Sequence, residues 1–475
     1  MGWKMIDLDE FLKCPKCLLI APAGFGKTHT ITECLIKLSD NSRKQLILTH
    51  THAGVTSIKE KLKKQKVKNN YEVETISSFM QRYVLAYNHN KAVPDIADST
   101  KYYSFLNDSA LTLFASRIFS AVIISTYSGL FVDEYQDCTK TQHSIIKILS
   151  ELIPTRIFGD FLQGIFEFNE PIVDLTCPRE MEGFIENSFA LSQPQRWLNG
   201  NNVALGHDLK IIREKLIKKE TIDLNIFKSI EVHNYVPLEL HTPRTDYNSL
   251  VWRLIASYDS LLIIHSNTTS IEPRKKISQK FNGSLALIES IDDKLFYKLS
   301  KLLDEINSTN AAVKLRELSL SLFSKTIVNN WFNEKGFKRK TKPEEKSIID
   351  KLNKLCCDLN NNLYEIISII ATLPDIKCYR PEILNSLLKA VEISRNEEKT
   401  CYEAMSGYRN LIRRFGRKVD GKCIGTTLLT KGLEFDAVLI LDAQNFSCPK
   451  HFYVAITRAC KKLIIVTENN ILSFK

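Results

Sequence analysis

The sequence has no run of about twenty apolar residues, the length a helix needs to cross a hydrocarbon core. Its longest uncharged apolar stretch, Ile118–Val132, is interrupted by Ser and Thr and falls short of that length. Asp7, Asp9 and Glu10 break the early sequence, so no secretory signal is read there. A soluble, cytoplasmic protein with no membrane partner is expected. No internal repeat is found, which excludes solenoids and propellers. With 17 glycines and 14 prolines in 475 residues, a collagen-like or low-complexity chain is excluded as well. Twelve cysteines are present, but Cys14-Pro-Lys-Cys17 has no second C-x-x-C to complete a zinc site. Cys356 and Cys357 are adjacent, which is poor ligand geometry. Reduced, mostly buried thiols are expected, with a labile metal or redox site at Cys14 and Cys17 as the alternative.

The composition is ordinary for a globular protein: 44% apolar and 25% charged. The length suggests about three domains. Lys and Arg number 65 against 54 Asp and Glu, a net charge of +11. A mild excess of this kind suits an anionic partner, nucleic acid or a membrane surface, and equally a well-solvated basic surface with none. A membrane surface is disfavoured, because no Lys-rich amphipathic helix with a broad apolar face is present.

Short apolar runs alternate with helix-like stretches over the first 190 residues, the pattern of an open parallel α/β sheet. Candidate strands are Cys17–Ala21, Leu46–Thr49, Glu72–Thr75, Leu130–Asp133 and Arg156–Gly159. A second set comprises Ser260–His265, Cys423–Thr427, Ala437–Asp442 and Leu463–Thr467. Between them lies a stretch of helical periodicity, with Leu295, Leu299, Leu302, Leu303 and Ile306 as one stripe. Leu352, Leu355, Leu359, Leu363 and Ile366–Ile367 form another. The basic segment Lys335–Lys346 reads as a loop or helix junction, either a solvated connector or a phosphate contact.

The first strand runs into Ala21-Pro-Ala23-Gly24-Phe-Gly26-Lys27-Thr28 and then a helix. Glycines let the backbone wrap a phosphate so that N–H groups and the helix N-terminus face the anion. Lys27 supplies a charge for the β- and γ-phosphates, and the Thr28 hydroxyl is placed to ligate magnesium. ATP and Mg2+ are the implied ligands. The run Val132-Asp133-Glu134-Tyr135-Gln136-Asp137 ends a buried strand in carboxylates. Asp133 is expected to hold the metal, and Glu134 to orient and deprotonate the attacking water. Downstream, Gly159-Asp160-Phe-Leu-Gln163 ends another strand, with Gln163 able to report a γ-phosphate.

Taken in order, these strings resemble those of the UvrD/PcrA/Rep-type superfamily-one DNA helicases. Thr49-His-Thr51 and Thr75-Ile-Ser77-Ser-Phe79 stand where that family contacts single strands. Gln195-Arg196, Leu262–Asn267, Thr430–Asp436 and Tyr453–Ala459 are similar to its later motifs. The resemblance implies an α/β fold of two RecA-like P-loop motor domains, with a mainly helical insertion in the second and a reduced one in the first. The implied boundaries are 1–80 with 117–190, the insertion 81–116, 191–270 with 421–475, and the insertion 271–420. Arg196 and Arg458 would be arginine fingers from the second motor, and Gly432 and Glu434 would belong to the nucleotide site, Glu434 receiving the ribose. The nucleic-acid track would use Phe166 and Phe168 for stacking, with His50 in place of a phenylalanine. Hydroxyls of Thr49, Thr51, Ser77 and Thr427 and the charge of Lys431 would meet phosphates.

The implied activity is ATP-dependent translocation on single-stranded DNA or helicase activity, with 3′→5′ polarity. Trimmed insertions resemble most the helicase subunit of the Gabija anti-phage system, which works beside an OLD-family nuclease. No glutamine precedes the phosphate loop, which leaves selectivity for ATP unassigned. A regulatory ATP- and DNA-sensing subunit that activates a nuclease is the alternative.

Overall fold

The computed structural model describes residues 4–38, 43–67, 70–88, 92–95, 98–166, 170–266, 270–282, 284–288, 293–415 and 421–474. The chain divides into two compact units. One comprises Met1–Ser290 with Phe415–Lys475, and the other Ile291–Arg414.

The first unit holds two parallel sheets. Seven strands build the first: β1 (Lys4–Met5), β2 (Lys16–Ile20), β3 (Lys44–Thr49), β4 (Tyr71–Thr75), β5 (Tyr127–Val132), β6 (Thr155–Gly159) and β7 (Ser188–Ala190). Their order is β1-β7-β2-β6-β5-β3-β4. Every ladder is parallel, with Leu18 opposite Ile157 and Leu46 opposite Leu130. Helices on both faces bury the sheet, so strands such as Cys17–Ile20 read as unbroken apolar runs rather than alternating ones.

The chain then forms β8 (Ile222–Asp223), β9 (Ile230–His233), β10 (Leu261–His265) and β11 (Ala286–Leu287). In the other unit β12 (Phe332–Asn333) and β13 (Gly336–Phe337) make a hairpin. After it come β14 (Lys422–Gly425), β15 (Phe435–Leu441), β16 (Ala459–Val466) and β17 (Ile471–Leu472). The second parallel sheet runs β11-β14-β10-β15-β16-β9, while β17 pairs antiparallel with β8. Leu262, Ile264, Val438 and Ile440 face one core, and Leu261, Ile263, Ala437 and Leu439 the other. The fold class is thus α/β, with two parallel sheets of RecA-like layout.

Two readings from the pattern need correction. The expected insertion beginning at residue 271 starts too early. The helix Glu272–Lys280 packs Ile277 into the core of the second sheet, and β11 pairs with β14. The second leucine stripe is not one helix. A 3₁₀ turn at Cys356–Asp358 separates Pro343–Leu355 from Leu359–Ala371, so the spacing resumes on a new axis. No single helix among the described residues is long and apolar enough to cross a membrane. One pair bent by 82°, Lys101–Phe114 and Arg117–Thr126, has the length and composition. Its Leu106, Ala110, Phe114, Phe119 and Ile123 are buried in the core of the first sheet.

Candidate nucleotide and nucleic-acid site

The phosphate loop leaves the C-terminal end of β2, where ligands bind in open parallel sheets. Ala21 donates its N–H to the Gly159 carbonyl at the end of β6, 3.0 Å away. Gly24 and Gly26 have φ of +76° and +98°, a region that other residues enter only under strain. At Gly24 there is also no room: a Cβ would lie 2.7 Å from the Trp197 ring. The helix Lys27–Lys37 begins directly after Gly26 with no side-chain cap, which leaves its first N–H groups for an anion.

Lys27 Nζ lies 2.9 Å from Glu134 Oε1. Burial alone would depress this lysine, but Glu134, Asp133 and Asp160 together hold it above its ordinary range. Glu134 is set by a left-handed backbone, φ 55° and ψ 42°, which turns it away from the strand end. It is a non-glycine residue in strained conformation beside the phosphate loop. Its neighbour Asp133 is pushed up by burial and then by the charge of Glu134. Burial pushes Glu134 up too, yet Lys27 and then Lys431 outweigh it and hold the carboxylate low. A buried carboxylate, Asp133, thus sits beside the partly exposed one of Glu134. Asp133 is a hard oxygen donor there, and Thr28 sits in the first turn of the adjoining helix. That donor set fits a magnesium ion, whose charge would relieve the crowding.

The second sheet closes on this loop. Arg196 donates its backbone N–H to the Gly24 carbonyl at 2.9 Å, and the Trp197 indole N–H reaches the Ala459 carbonyl at 2.9 Å. Ala23 and Phe25 join the same apolar cluster as Trp197, Phe452 and Ile456. The Arg196 guanidinium donates to the Thr457 carbonyl and, at 2.7 Å, to Glu434. Glu434, expected at a ribose, is engaged by that arginine. Arg458 is buried and donates to the carbonyls of Val454 and Leu433 and to the Thr457 hydroxyl. Burial, followed by Arg196, lowers it to about 10. Both expected fingers are therefore near one another with their donors held inside the second half. Gly432, at φ +83°, turns the chain between them and Lys431.

Gln163 points its amide at Asp160 Oδ2, 3.2 Å away. Asp160 is the centre of a network that pattern alone misses. It is fully buried and accepts from the Ala23 N–H at 3.2 Å, the Tyr453 hydroxyl at 3.0 Å and Arg213 at 3.0 Å. Gln136 extends the network, donating to Glu134 while its oxygen accepts from the Asp160 N–H at 3.0 Å. Asp160 and Tyr453 stand inside strings already singled out. Arg213 has no local signature, being one polar residue on an apolar helix face.

The expected nucleic-acid residues separate into groups. His50 and Phe166 face each other with ring centroids 5.8 Å apart. Lys431 lies over the Phe166 ring, 4.6 Å from its centroid. Its ammonium donates to both Asp137 oxygens at 2.6 Å and to the Gln163 carbonyl. Burial pushes Asp137 up to about 7 and pulls Lys431 down. Thr51 caps the helix His52–Lys64, its hydroxyl oxygen accepting from the Gly54 N–H at 3.1 Å, which leaves the O–H able to donate to a phosphate. Thr427 shares a 2.6 Å hydrogen bond with His451 Nδ1. Thr49 ends β3 buried, its hydroxyl without a hydrogen-bond partner among the described residues. Ser77 is half-buried in the first turn of Ile76–Ala86. Phe168 lies outside the described residues. Cys17 is buried with its thiol pushed up by burial, and no group of three or more metal-ligating side chains occurs among the described residues.

A family model described as an AAA domain matches residues 7–169. No curated protein matches the sequence. Among solved structures, Pif1 helicase from Candida albicans aligns over 98% of this chain and 95% of that chain, with 10% identity and a TM-score of 0.40.

Proposed function

We propose that the chain is an ATPase of the superfamily-one helicase type that couples hydrolysis to movement on single-stranded DNA. The observation that carries this reading is the joint between the two sheets. The first supplies Lys27, Asp133 and Glu134, and the second brings the Arg196 backbone against the same loop, with Glu434 paired to that arginine and Arg458 near it. A metabolic kinase has no need of a second sheet there.

In this reading the backbone N–H groups of the loop and Lys27 bind the ATP phosphates. Asp133 and Thr28 would hold magnesium, which supplies charge neutralisation on the phosphates. Glu134, kept ionised, takes the proton of the attacking water. Arg196 and Arg458 must exchange their present partners for the γ-phosphate, so hydrolysis follows a rearrangement of the second half. The His50–Phe166 pair offers aromatic faces for bases. Movement 3′→5′ and work beside an OLD-type nuclease in phage defence extend the same proposal, from the family resemblance alone.

Hydrolysis measured with and without single-stranded DNA tests the reading. Strong stimulation is expected, and equal rates would defeat the motor. A second reading is supported by the held donors of Arg458: a regulatory ATP- and DNA-sensing subunit that activates a partner nuclease without robust unwinding of its own. It predicts stimulation only when that nuclease is added.

A further inference from the structure

We propose that Lys431 is a displaceable plug on the base-stacking ring of Phe166, and that its bridge to Asp137 is a positioning contact that ties base stacking to the hydrolytic carboxylates. This rests on the proposed DNA-stimulated ATPase. Two residues expected to meet DNA instead meet each other, with the ammonium 4.6 Å from the centre of the ring. A base stacked on that side of the ring takes the space the ammonium fills. The displaced lysine must then leave Asp137 and the Gln163 carbonyl, which it now holds.

Both anchors lead to the nucleotide. Asp137 closes the short 3₁₀ turn Tyr135–Asp137 that follows Glu134 directly. Gln163 carries its amide on Asp160, which also holds the Ala23 N–H of the phosphate loop. Lys431 enters from the second sheet, between the helix Thr427–Thr430 and β15, beside Gly432 with its positive φ. Moving one ammonium therefore relaxes a contact between the two halves, a contact on the sensor segment and a contact on the acidic turn. The ring that a base would claim is the trigger.

The test uses the full chain, steady-state ATP hydrolysis, and a single-stranded oligonucleotide carrying 2-aminopurine, whose fluorescence falls on stacking. Lys431→Met should raise the DNA-free rate severalfold, shrink the ratio of stimulated to DNA-free rates, and deepen the quench. Lys431→Arg, which keeps the charge on the ring, should keep the wild-type ratio. Should Lys431→Met not fold, Asp137→Asn weakens the same bridge with little change of shape and should also raise the DNA-free rate. An unchanged ratio in the folded variant, or a parallel loss of both rates, overturns the plug. So does weaker DNA binding with a salt slope reduced by about 0.7, the signature of a lost phosphate contact on a single strand. A wild-type chain with no DNA stimulation defeats the proposed function instead, before any variant is made.

Discussion

Lys27 and Glu134 form one ion pair, and the proposed function gives them different steps that substitutions separate. Lys27→Ala should abolish tight ATP binding in calorimetry, because the loop loses its charge and Glu134 its partner. Glu134→Gln should bind ATP and DNA while turnover falls by about 10²–10⁴, the usual contribution of a general base. Failure of that variant to bind ATP would make Glu134 a structural or metal-holding group. Both residues are legible in sequence because a lysine after glycines and a carboxylate after a buried strand are local patterns. Asp160 is less legible: its partners Tyr453 and Arg213 come from distant segments, and only the fold brings them together. His50 gives a pH test. Burial, and then Lys431, lower its imidazole to about 4 from 6.5. The folded state thus prefers the neutral ring, and this contribution is complete above about pH 6.5 and lost as pH falls through about 4. Asp137, raised by burial from 3.8 to about 7, has the opposite slope over much of that range. The informative quantity is therefore a difference between proteins. His50→Phe should lose less thermal stability than the wild type between pH 6.5 and pH 4, and equal losses would mean that His50 is protonated without cost.

At the scale of elements, the parallel strands were visible because burial on both faces makes them continuous apolar runs. Their ends were less visible. The apolar stretch Ile118–Val132 is a helix that ends at Thr126 followed at once by β5, since periodicity cannot show where one apolar element yields to another. Gly24 shows what spacing does predict. The loop pattern pointed to glycines that let the backbone wrap a phosphate, but not to the indole packed against Gly24. Gly24→Ala adds about 1–2 kcal/mol of backbone strain and a Cβ 2.7 Å from Trp197. Reduced thermal stability and weakened ATP binding should appear together. If the melting temperature does not move, Trp197 yields and the glycine serves the nucleotide alone.

Over the whole molecule, the net charge of +11 suits an anionic partner without specifying one, whereas the joint between the sheets supports the proposed mechanism for such a partner. The joint itself rests on Asp160. Four segments converge on its carboxylate: the phosphate loop through Ala23, the sensor through Gln163, and the second half through Tyr453 and Arg213. Asp160 and the Arg213 side chain are 0% and 8% exposed, so water cannot replace a lost partner. Asp160→Asn keeps the shape but presents an amide NH2 to donors and leaves a buried guanidinium without its counter-charge. Breaking such a pair costs about 3–5 kcal/mol. Tyr453→Phe removes one neutral donor from the same carboxylate and should cost about 0.5–1.5 kcal/mol. Denaturant unfolding of both variants measures the contrast. Asp160→Asn should also weaken ATP binding, because the Ala23 N–H loses its charged acceptor and keeps only the Tyr453 hydroxyl, 3.1 Å away, whereas Tyr453→Phe removes that hydroxyl and should leave the loop anchored through the Asp160 carboxylate. Equal, small costs in the two variants would show that Arg213 finds another partner. The two halves would then be joined by apolar packing around Trp197 and Phe452 rather than by this carboxylate.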